Sequence, residues 1–365
     1  MCLGSRELCG EVVEALKGDV GVAFVIASTK TSTIPGISAA GASPQATLLT
    51  PTLDVEYVYC GRPLSADLIP VTPEGLPTPA VISRACLNML RLPYLIVDAG
   101  AATPPKVPHV TLPGRVVGGR IDLERALPEG RSQQLFRECE GLGSRAFRGL
   151  DALVIGESLP GGTTTAAAIL TALGVNAVRR VSSSSPNNPV GLKESVVRAA
   201  LNRSGIPEGG VKDPFLAADM VGDPLHPSVA GLALGALKAG VRAVLLAGGT
   251  QMVAALAILR MAAPEDILRR VAVGTTRWIV EDRQSSIESL LRDVSPSTPL
   301  LHTSLSFRNS PYSGLRMYEE GYVKEGVGAG GLAVTAEVRG FDAGRIAEEV
   351  YGEYRRLLSL GAAKA

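Results

Sequence analysis

The chain has 365 residues, 46% hydrophobic and 4% aromatic, so its core must be built mainly from Ala, Val and Leu. Its 36 Lys and Arg residues nearly balance 35 Asp and Glu residues, which excludes a broad basic field for nucleic acid. Five widely spaced cysteines and three scattered histidines favour neither a disulfide framework nor a metal site. No signal peptide or apolar run of membrane-spanning length is visible, so we expect a cytoplasmic protein without membrane partners.

The N-terminal part predicts few regular elements. A short amphipathic helix is expected over residues 6–16 and a buried strand over residues 21–27. Residues 28–79 are rich in Thr, Pro, Gly and Ser and lack strong periodicity, which predicts a long loop. A functional loop and a plain surface excursion fit this composition equally well. The features expected next are a helix (79–90), a strand (94–98) and a second Pro- and Gly-rich stretch (103–119).

From residue 150 onward, apolar strands alternate with short helices. This alternation predicts right-handed βαβ crossovers, a parallel sheet with helices on both faces, and ligand binding at the carboxyl ends of the strands. We therefore predict a Rossmann-like α/β core over residues 21–304 and a smaller, mainly helical part built from residues 1–20 and 305–365. Predicted strands occupy 150–155, 177–181, 241–246 and 270–274; predicted helices occupy 163–173, 193–202, 229–239, 252–262, 314–320, 326–338 and 342–360.

The strongest local signal is the segment GESLPGGTTTA at residues 156–166. It follows a predicted strand and opens a predicted helix, where glycines allow close backbone approach and free N–H groups favour an anion. The spacing imitates the phosphate loop of ATPases, but Gly162 stands where that loop requires a lysine, which argues against an ATPase. A purely structural turn capped by Thr is the alternative. The Glu157 carboxylate at the strand end favours a functional loop.

Two further glycine-rich segments are weaker signals. Residues 245–252 repeat the strand–glycine–helix pattern, which any α/β fold contains. Residues 326–331, GVGAGG, lack the preceding strand that a dinucleotide-binding motif needs. Glu325 comes directly before them, and local sequence alone favours a charge placed against a helix dipole over a ligand-binding carboxylate.

Taken together, these segments resemble the nicotinate-nucleotide:dimethylbenzimidazole phosphoribosyltransferase family, and most closely its archaeal branch. The resemblance is most specific over residues 98–334. Ala247 and Phe307 stand where the family pattern has an aspartate and a histidine. The matching segments are the Gly-rich loop at 156–174, a lysine-bearing helix at 192–203, a strand, turn and helix at 241–258, a stretch similar to SHRSA at 306–310, and an element similar to GEGTGAA at 324–331.

The resemblance implies a homodimeric enzyme that moves phosphoribose from nicotinate mononucleotide to a benzimidazole-like base, giving an α-ribazole phosphate and nicotinate for the lower ligand of cobamides. It implies no metal or redox cofactor, and Glu325 as the general base. A non-catalytic nucleotide-binding or regulatory protein on the same fold is the alternative. The residues implied for substrate binding are Glu157, Ser158, Gly161, Gly162, Thr163, Thr164, Lys193, Gly248, Ser306, Arg308 and Gly326.

Within that set, the resemblance implies separate tasks. Lys193 and the backbone amides of residues 161–164 would hold the donor phosphate. Glu157 would accept hydrogen bonds from the ribose hydroxyls. Ser306 and Gly248 would line the nicotinate end. The accepting base stays open between benzimidazoles, purines and phenols.

Overall fold

The computed structural model describes residues 2–41, 43–207 and 209–362; Met1 and residues 363–365, the ends of the predicted helical part, lie outside the described residues. Among these residues the strands are β1 (Cys2–Leu3), β2 (Val20–Ala27), β3 (Tyr94–Gly100), β4 (Val110–Thr111), β5 (Ala152–Ser158), β6 (Ala243–Ala247), β7 (Val271–Thr275) and β8 (Leu300–His302). They form one sheet in the order β1-β8-β7-β6-β5-β2-β3-β4, parallel except between β1 and β8. The chain extends the sheet first to one side of β2 and then to the other, so the topological switch point lies between β2 and β5.

Helices connect these strands. In the described part of the chain they are α1 (Arg6–Lys17), α2 (Pro44–Cys60), α3 (Ala80–Leu90), α4 (Arg131–Ala146), α5 (Gly162–Ala172), α6 (Val190–Ser204), α7 (Pro214–Val221), α8 (Leu225–Lys238), α9 (Met252–Ala262), α10 (Glu265–Leu268), α11 (Arg277–Val280), α12 (Ile287–Val294), α13 (Ser313–Arg316), α14 (Ala329–Val338) and α15 (Ala343–Ala362), with a 3₁₀-helix at Lys30–Thr33. Within the described residues, no helix combines the length and apolar character needed to cross a membrane.

Helices cover both faces of the sheet, as the alternation along β2 shows. Val22, Phe24 and Ile26 belong to one buried core, which also contains side chains of α1, α2, α3, α14 and α15. Ala23 and Val25 belong to the other core, with side chains of α4 to α9 and α12. A strand buried on both faces reads as an unbroken apolar run. The predicted Rossmann-like α/β class is confirmed; its division into two parts stays a prediction.

The predicted loop over residues 28–79 was wrong for its central part, which forms α2. Ser43 caps this helix with its side chain, Pro44 is the first helical residue, and Gly61 ends the helix in the left-handed conformation. Ser followed by Pro is a readable helix start. The helix lacked a periodic signal because it contains Pro51 and is buried on nearly all sides, polar side chains included.

Two other expectations were also wrong. Residues 177–181 form a turn, in which Arg180 and Val181 both donate their N–H groups to the Ala177 carbonyl. A strand there has no place in the sheet, because β5 pairs directly with β6. The cysteine pattern did not indicate disulfides, yet Cys2 in β1 and Cys9 in α1 form one.

Candidate functional site

The carboxyl ends of β5, β6 and β7 bring most of the predicted site residues to one edge of the sheet. They surround a turn after β6, which we call the central turn (residues 248–251). A Cβ atom on Gly249 would lie 3.6 Å from Glu325 Cβ and 3.6 Å from Ser182 Oγ. Residues far apart in sequence therefore meet at the edge where open parallel sheets bind ligands.

Glu325 is a partly buried carboxylate held by four donors. Its Oε1 accepts the N–H groups of Gly326 (3.1 Å) and Gly330 (3.0 Å). Its Oε2 accepts the Thr276 N–H (2.9 Å) and the Thr275 hydroxyl (3.3 Å). Burial raises the pKa of Glu325 to about 7, although these four bonds favour the charged form. A carboxylate with such a pKa is matched to proton abstraction near neutral pH.

Gly330→Ala should displace this carboxylate. A Cβ atom there would lie 2.4 Å from Glu325 Oε2 and 2.2 Å from the Thr275 carbonyl carbon. We expect the pKa of Glu325 to rise, because the displaced carboxylate loses N–H donors, and the free energy of unfolding to fall by about 1–3 kcal/mol. Carboxyl ¹³C NMR titration and urea unfolding measure the two effects.

The matched control is Gly352→Ala in α15, where an added Cβ atom meets nothing within 4 Å. Alanine in such a helical position should stabilise the protein by about 0.5–1 kcal/mol. If Gly330→Ala titrates and unfolds like this control, residue 330 does not set the place of the carboxylate.

Glu157 is the second-last residue of β5, with only 1% of its surface exposed. In the part of the chain that the structure describes, neither of its carboxylate oxygens has a hydrogen-bond partner. Burial raises the pKa of Glu157 well above its usual range; the nearby Gln251 side chain opposes this shift, and the Glu325 carboxylate reinforces it. Buried acceptors without partners are rare in native proteins. The arrangement is suited to a ligand that brings hydroxyl or N–H donors.

Lys193 in α6 is fully buried and bonded to two neutral oxygens. Its Nζ donates to the Ser182 carbonyl (2.5 Å) and to Asn188 Oδ1 (2.9 Å). Both belong to the connection before α6, which we call the serine loop (residues 182–189). Burial and the neighbouring Lys324 ammonium lower the pKa of Lys193 to about 7. An ammonium group has three N–H donors, so one is left for an anion.

The serine loop connects Lys193 with the central turn and with the segment that carries Glu325. Ser182 donates its N–H to Thr250 Oγ1 (2.9 Å). The Ser184 carbonyl accepts the N–H of Val323 (2.8 Å), two residues before Glu325. One loop therefore contacts both the Lys193 ammonium and the segment that carries Glu325.

The glycine-rich loop after β5 carries the N-terminus of α5 to the same edge. Gly161 adopts the left-handed conformation, and Gly162 begins the helix. A Cβ atom on Gly162 would lie 2.0 Å from Gln251 Oε1, so a side chain there would displace the end of the Gln251 side chain in the central turn. Thr163 is half-buried, and the buried Thr164 hydroxyl has no partner among the described residues. Gly162 and Thr164 donate their N–H groups to the carbonyls of Leu159 and Gly161 at 3.0 and 2.9 Å, so a phosphate would have to replace these carbonyls as acceptor, and the Thr164 hydroxyl offers it a further donor.

Of the remaining predicted residues, Gly326 and Ser158 contact the carboxylates of the site or their neighbours, whereas Ser306 is bonded to a different carboxylate. Gly326 donates its N–H to Glu325 directly. Ser158 donates its hydroxyl to Asp54 Oδ2 (2.7 Å), a buried carboxylate that acts on Glu157. Ser306 instead donates to Glu319 Oε1 (2.9 Å), and its own hydroxyl accepts the N–H of Arg308, whose side chain is exposed.

Sequence reasoning missed several residues that hold the site. Thr275 and Thr276 were readable, because a polar pair at the carboxyl end of an apolar strand faces the ligand edge. Asp54 was hidden because its helix was taken for a loop; burial raises its pKa to about 6, against hydrogen bonds from Ser158 and Thr78.

A buried Asp–His pair lies close to α5. His226 Nδ1 is 2.6 Å from Asp223 Oδ2, and neither side chain is exposed. The charge of Asp223 also acts on Glu157. In residues 2–41, 43–207 and 209–362, no group of three or more His, Cys, Asp or Glu side chains is placed to hold a metal ion.

Known proteins share this architecture. A family model described as phosphoribosyltransferase matches residues 83–267. A UPF0284 protein of Aeropyrum pernix is 54% identical over 347 residues, which cover 95% of each chain. A UPF0284 protein of Pyrococcus abyssi is 44% identical over 92% of this chain and 97% of its own. The crystal structure of nicotinate-nucleotide-dimethylbenzimidazole phosphoribosyltransferase from Thermus thermophilus aligns with a TM-score of 0.63, at 17% identity, over 93% of this chain and 88% of that one, which shows a shared fold.

Proposed function

We propose that this chain, which belongs to the phosphoribosyltransferase family and has UPF0284 proteins as relatives, transfers phosphoribose from nicotinate mononucleotide to a benzimidazole-like base. The observation that carries this proposal is the meeting of Glu325, Glu157 and Lys193 around the central turn. A carboxylate with a raised pKa, buried acceptors without partners among the described residues and a buried cation suit such a reaction. The nicotinate nucleotide in the solved relative's name fits this set as the donor.

Each part of the donor has a proposed partner. The phosphate is held by Lys193 and by the N–H groups at the start of α5. The ribose hydroxyls donate hydrogen bonds to Glu157, whose two buried carboxylate oxygens have no other partner among the described residues. The nicotinate ring lies beside Gly248, with Ser306 at its far end.

The proposed reaction is a displacement at the anomeric carbon. A ring nitrogen of the accepting base attacks this carbon with its lone pair, while the electrons of the C–N bond return to the nicotinate nitrogen and cancel its positive charge. The leaving group therefore needs no proton. The other ring nitrogen of the base gives up its proton to Glu325. Attack opposite the nicotinate inverts the centre and yields an α-riboside, and much of the rate comes from holding both substrates in place.

Mass spectrometry of the products tests this proposal. The protein is incubated with nicotinate mononucleotide and a panel of bases that includes dimethylbenzimidazole, other benzimidazoles, adenine and a phenol. We expect a ribosylated base phosphate and an equal amount of free nicotinate. Stoichiometric binding of the mononucleotide without any product from any base would instead support a non-catalytic nucleotide-binding protein.

The two perturbed groups also predict the pH dependence of transfer. Glu325 must be deprotonated to accept a proton, so activity should fall as the pH drops below its pKa of about 7. Lys193 must be charged to hold phosphate, so activity should also fall as the pH rises above its pKa of about 7. We expect kcat/KM to be highest near pH 7 and to fall on both sides, as measured by initial rates between about pH 5 and about pH 9. Activity that rises steadily up to the alkaline limit would rule out Lys193 as the phosphate cation.

A further inference from the structure

The backbone on both sides of Glu325 lies in a sparsely populated conformation. Val323, Lys324 and Val327 have φ values of 61°, 64° and 54°, in the left-handed region. Few residues other than glycine adopt this region, and for β-branched valine it is a true outlier. Such conformations persist only where surrounding contacts hold them. We call residues 323–328 the glutamate segment.

Lys324 adds two side-chain contacts to the backbone hydrogen bonds that hold this segment, such as those from Val323 to Ser184 and from Val327 to Glu157. Its Nζ lies 3.3 Å from Asp282 Oδ2 and donates to the Ser185 carbonyl at 3.2 Å. The side chains of the ion pair are only 3% and 7% exposed. Removing one partner of such a buried pair leaves an uncompensated charge, so the pair resists rearrangement.

Thr276 connects this anchor with the carboxylate. Its hydroxyl donates to the Lys324 carbonyl at 2.6 Å, and its N–H donates to Glu325 Oε2 at 2.9 Å. The place of the Lys324 backbone and the direction of the Glu325 carboxylate therefore depend on the same residue. A shift of the anchor would move the carboxylate away from its donors.

Lys324 is placed differently from Lys193, although both donate to the serine loop. Neutral oxygens accept both hydrogen bonds of the Lys193 ammonium, and the Asp282 carboxylate acts on Lys193 only through space, where it opposes the lowering of its pKa. The Lys324 ammonium already faces a carboxylate, which would repel a phosphate. The Lys193 ammonium is therefore better placed to bind an anion, whereas the Lys324 ammonium forms an ion pair within the protein.

We propose that Lys324 is a positioning residue, which holds the glutamate segment in its left-handed conformation and so aims the Glu325 carboxylate, without touching either substrate. The ion pair with Asp282 and the bond to the Ser185 carbonyl are the side-chain contacts through which it does so. This role rests on the proposed function, since the carboxylate it aims is the proposed general base.

Two substitutions of Lys324 separate positioning from substrate binding. Lys324→Met keeps most of the length of the side chain but loses the ion pair, and methionine is disfavoured at a φ of 64°. Lys324→Gly loses the ion pair as well, but glycine adopts this φ freely. We expect kcat to fall about 100-fold in Lys324→Met and no more than about 10-fold in Lys324→Gly, with the donor KM changed less than about threefold in both. Equal losses in both variants, or a large rise of the donor KM, would overturn the positioning role.

A second readout needs no turnover. The pKa of Glu325, about 7 in the wild-type protein, is followed by carboxyl ¹³C NMR without substrates. It should rise in Lys324→Met, where the carboxylate loses N–H donors, and stay near 7 in Lys324→Gly. The control Lys17→Met changes a lysine that is 51% exposed and should leave the titration unaltered.

The outcomes of the two readouts are distinguishable. If the wild-type protein transfers no phosphoribose but the titrations behave as expected, the proposed function falls and the positioning role stands. If Lys324→Met titrates like the wild type, the positioning role is wrong even in an active enzyme. Because Lys324→Met leaves Asp282 buried and unpaired, the double variant Asp282→Asn/Lys324→Met is measured beside it, with the same rise of the Glu325 pKa expected.

Discussion

Glu325→Gln should lower kcat for phosphoribosyl transfer by about 10²–10⁴-fold while nicotinate mononucleotide still binds. The amide has nearly the shape of the carboxylate, and its oxygen can keep the N–H groups of Gly326 and Gly330 as donors. It cannot take the proton that the accepting base must lose. Steady-state rates and calorimetric titration of the donor measure the two quantities separately.

The same substitution at an exposed glutamate is the control. Glu14→Gln in α1 removes a carboxylate that is 62% exposed and pairs with Lys17 on the same helix. Its kcat should equal that of the wild type. If Glu325→Gln also turns over at nearly the wild-type rate, Glu325 has no part in proton transfer.

Lys193→Met should lower kcat/KM for nicotinate mononucleotide by about 10- to 100-fold, mainly through KM. The reason is the loss of one charged hydrogen bond to the phosphate, which contributes about 1.5–3 kcal/mol. Lys238→Met, at a lysine that is 51% exposed, is the control and should leave KM unchanged. A wild-type KM in Lys193→Met would place the phosphate elsewhere.

Lys193→Met should also change how stability depends on pH. The pKa of Lys193 is about 7 in the folded protein, and the ordinary lysine pKa is about 10.4. Between these values the unfolded chain binds more protons, so burial of this lysine costs most below pH 7 and progressively less as pH rises. The free energy of unfolding, measured by urea at about pH 7 and about pH 9.5, should therefore rise more in the wild type than in the variant. Equal changes in both proteins would mean that Lys193 is not perturbed.

The fold could be predicted for strands that are buried on both faces, because their sequences are unbroken apolar runs. β2 and β6 were found for this reason, and α9 was predicted to the residue as Met252–Ala262. The three-residue strand β8 is too short for periodicity to detect. The start of α14 was predicted at residue 326 but lies at Ala329, because Gly326, Val327 and Gly328 all have positive φ.

The site could be predicted only in part. Resemblance indicated Glu325, Glu157 and Lys193, whose chemistry depends on residue type and on neighbouring motifs. The surroundings that set their pKa values come from tertiary contacts: Thr276 reaches Glu325 from the end of β7, and Lys324 acts on Lys193 from a distant segment. Neither pairing has a signature in local sequence, so the left-handed glutamate segment and its ion pair with Asp282 were not expected.

The most direct measurement of the central claim is a crystal structure of the protein with nicotinate mononucleotide bound. We expect phosphate oxygens within about 3 Å of Lys193 Nζ and of the first N–H groups of α5, and ribose hydroxyls at the same distance from Glu157. The face of the anomeric carbon opposite the nicotinate should then be open towards Glu325. A mononucleotide bound away from the central turn, or one whose anomeric carbon is turned from Glu325, would contradict the account.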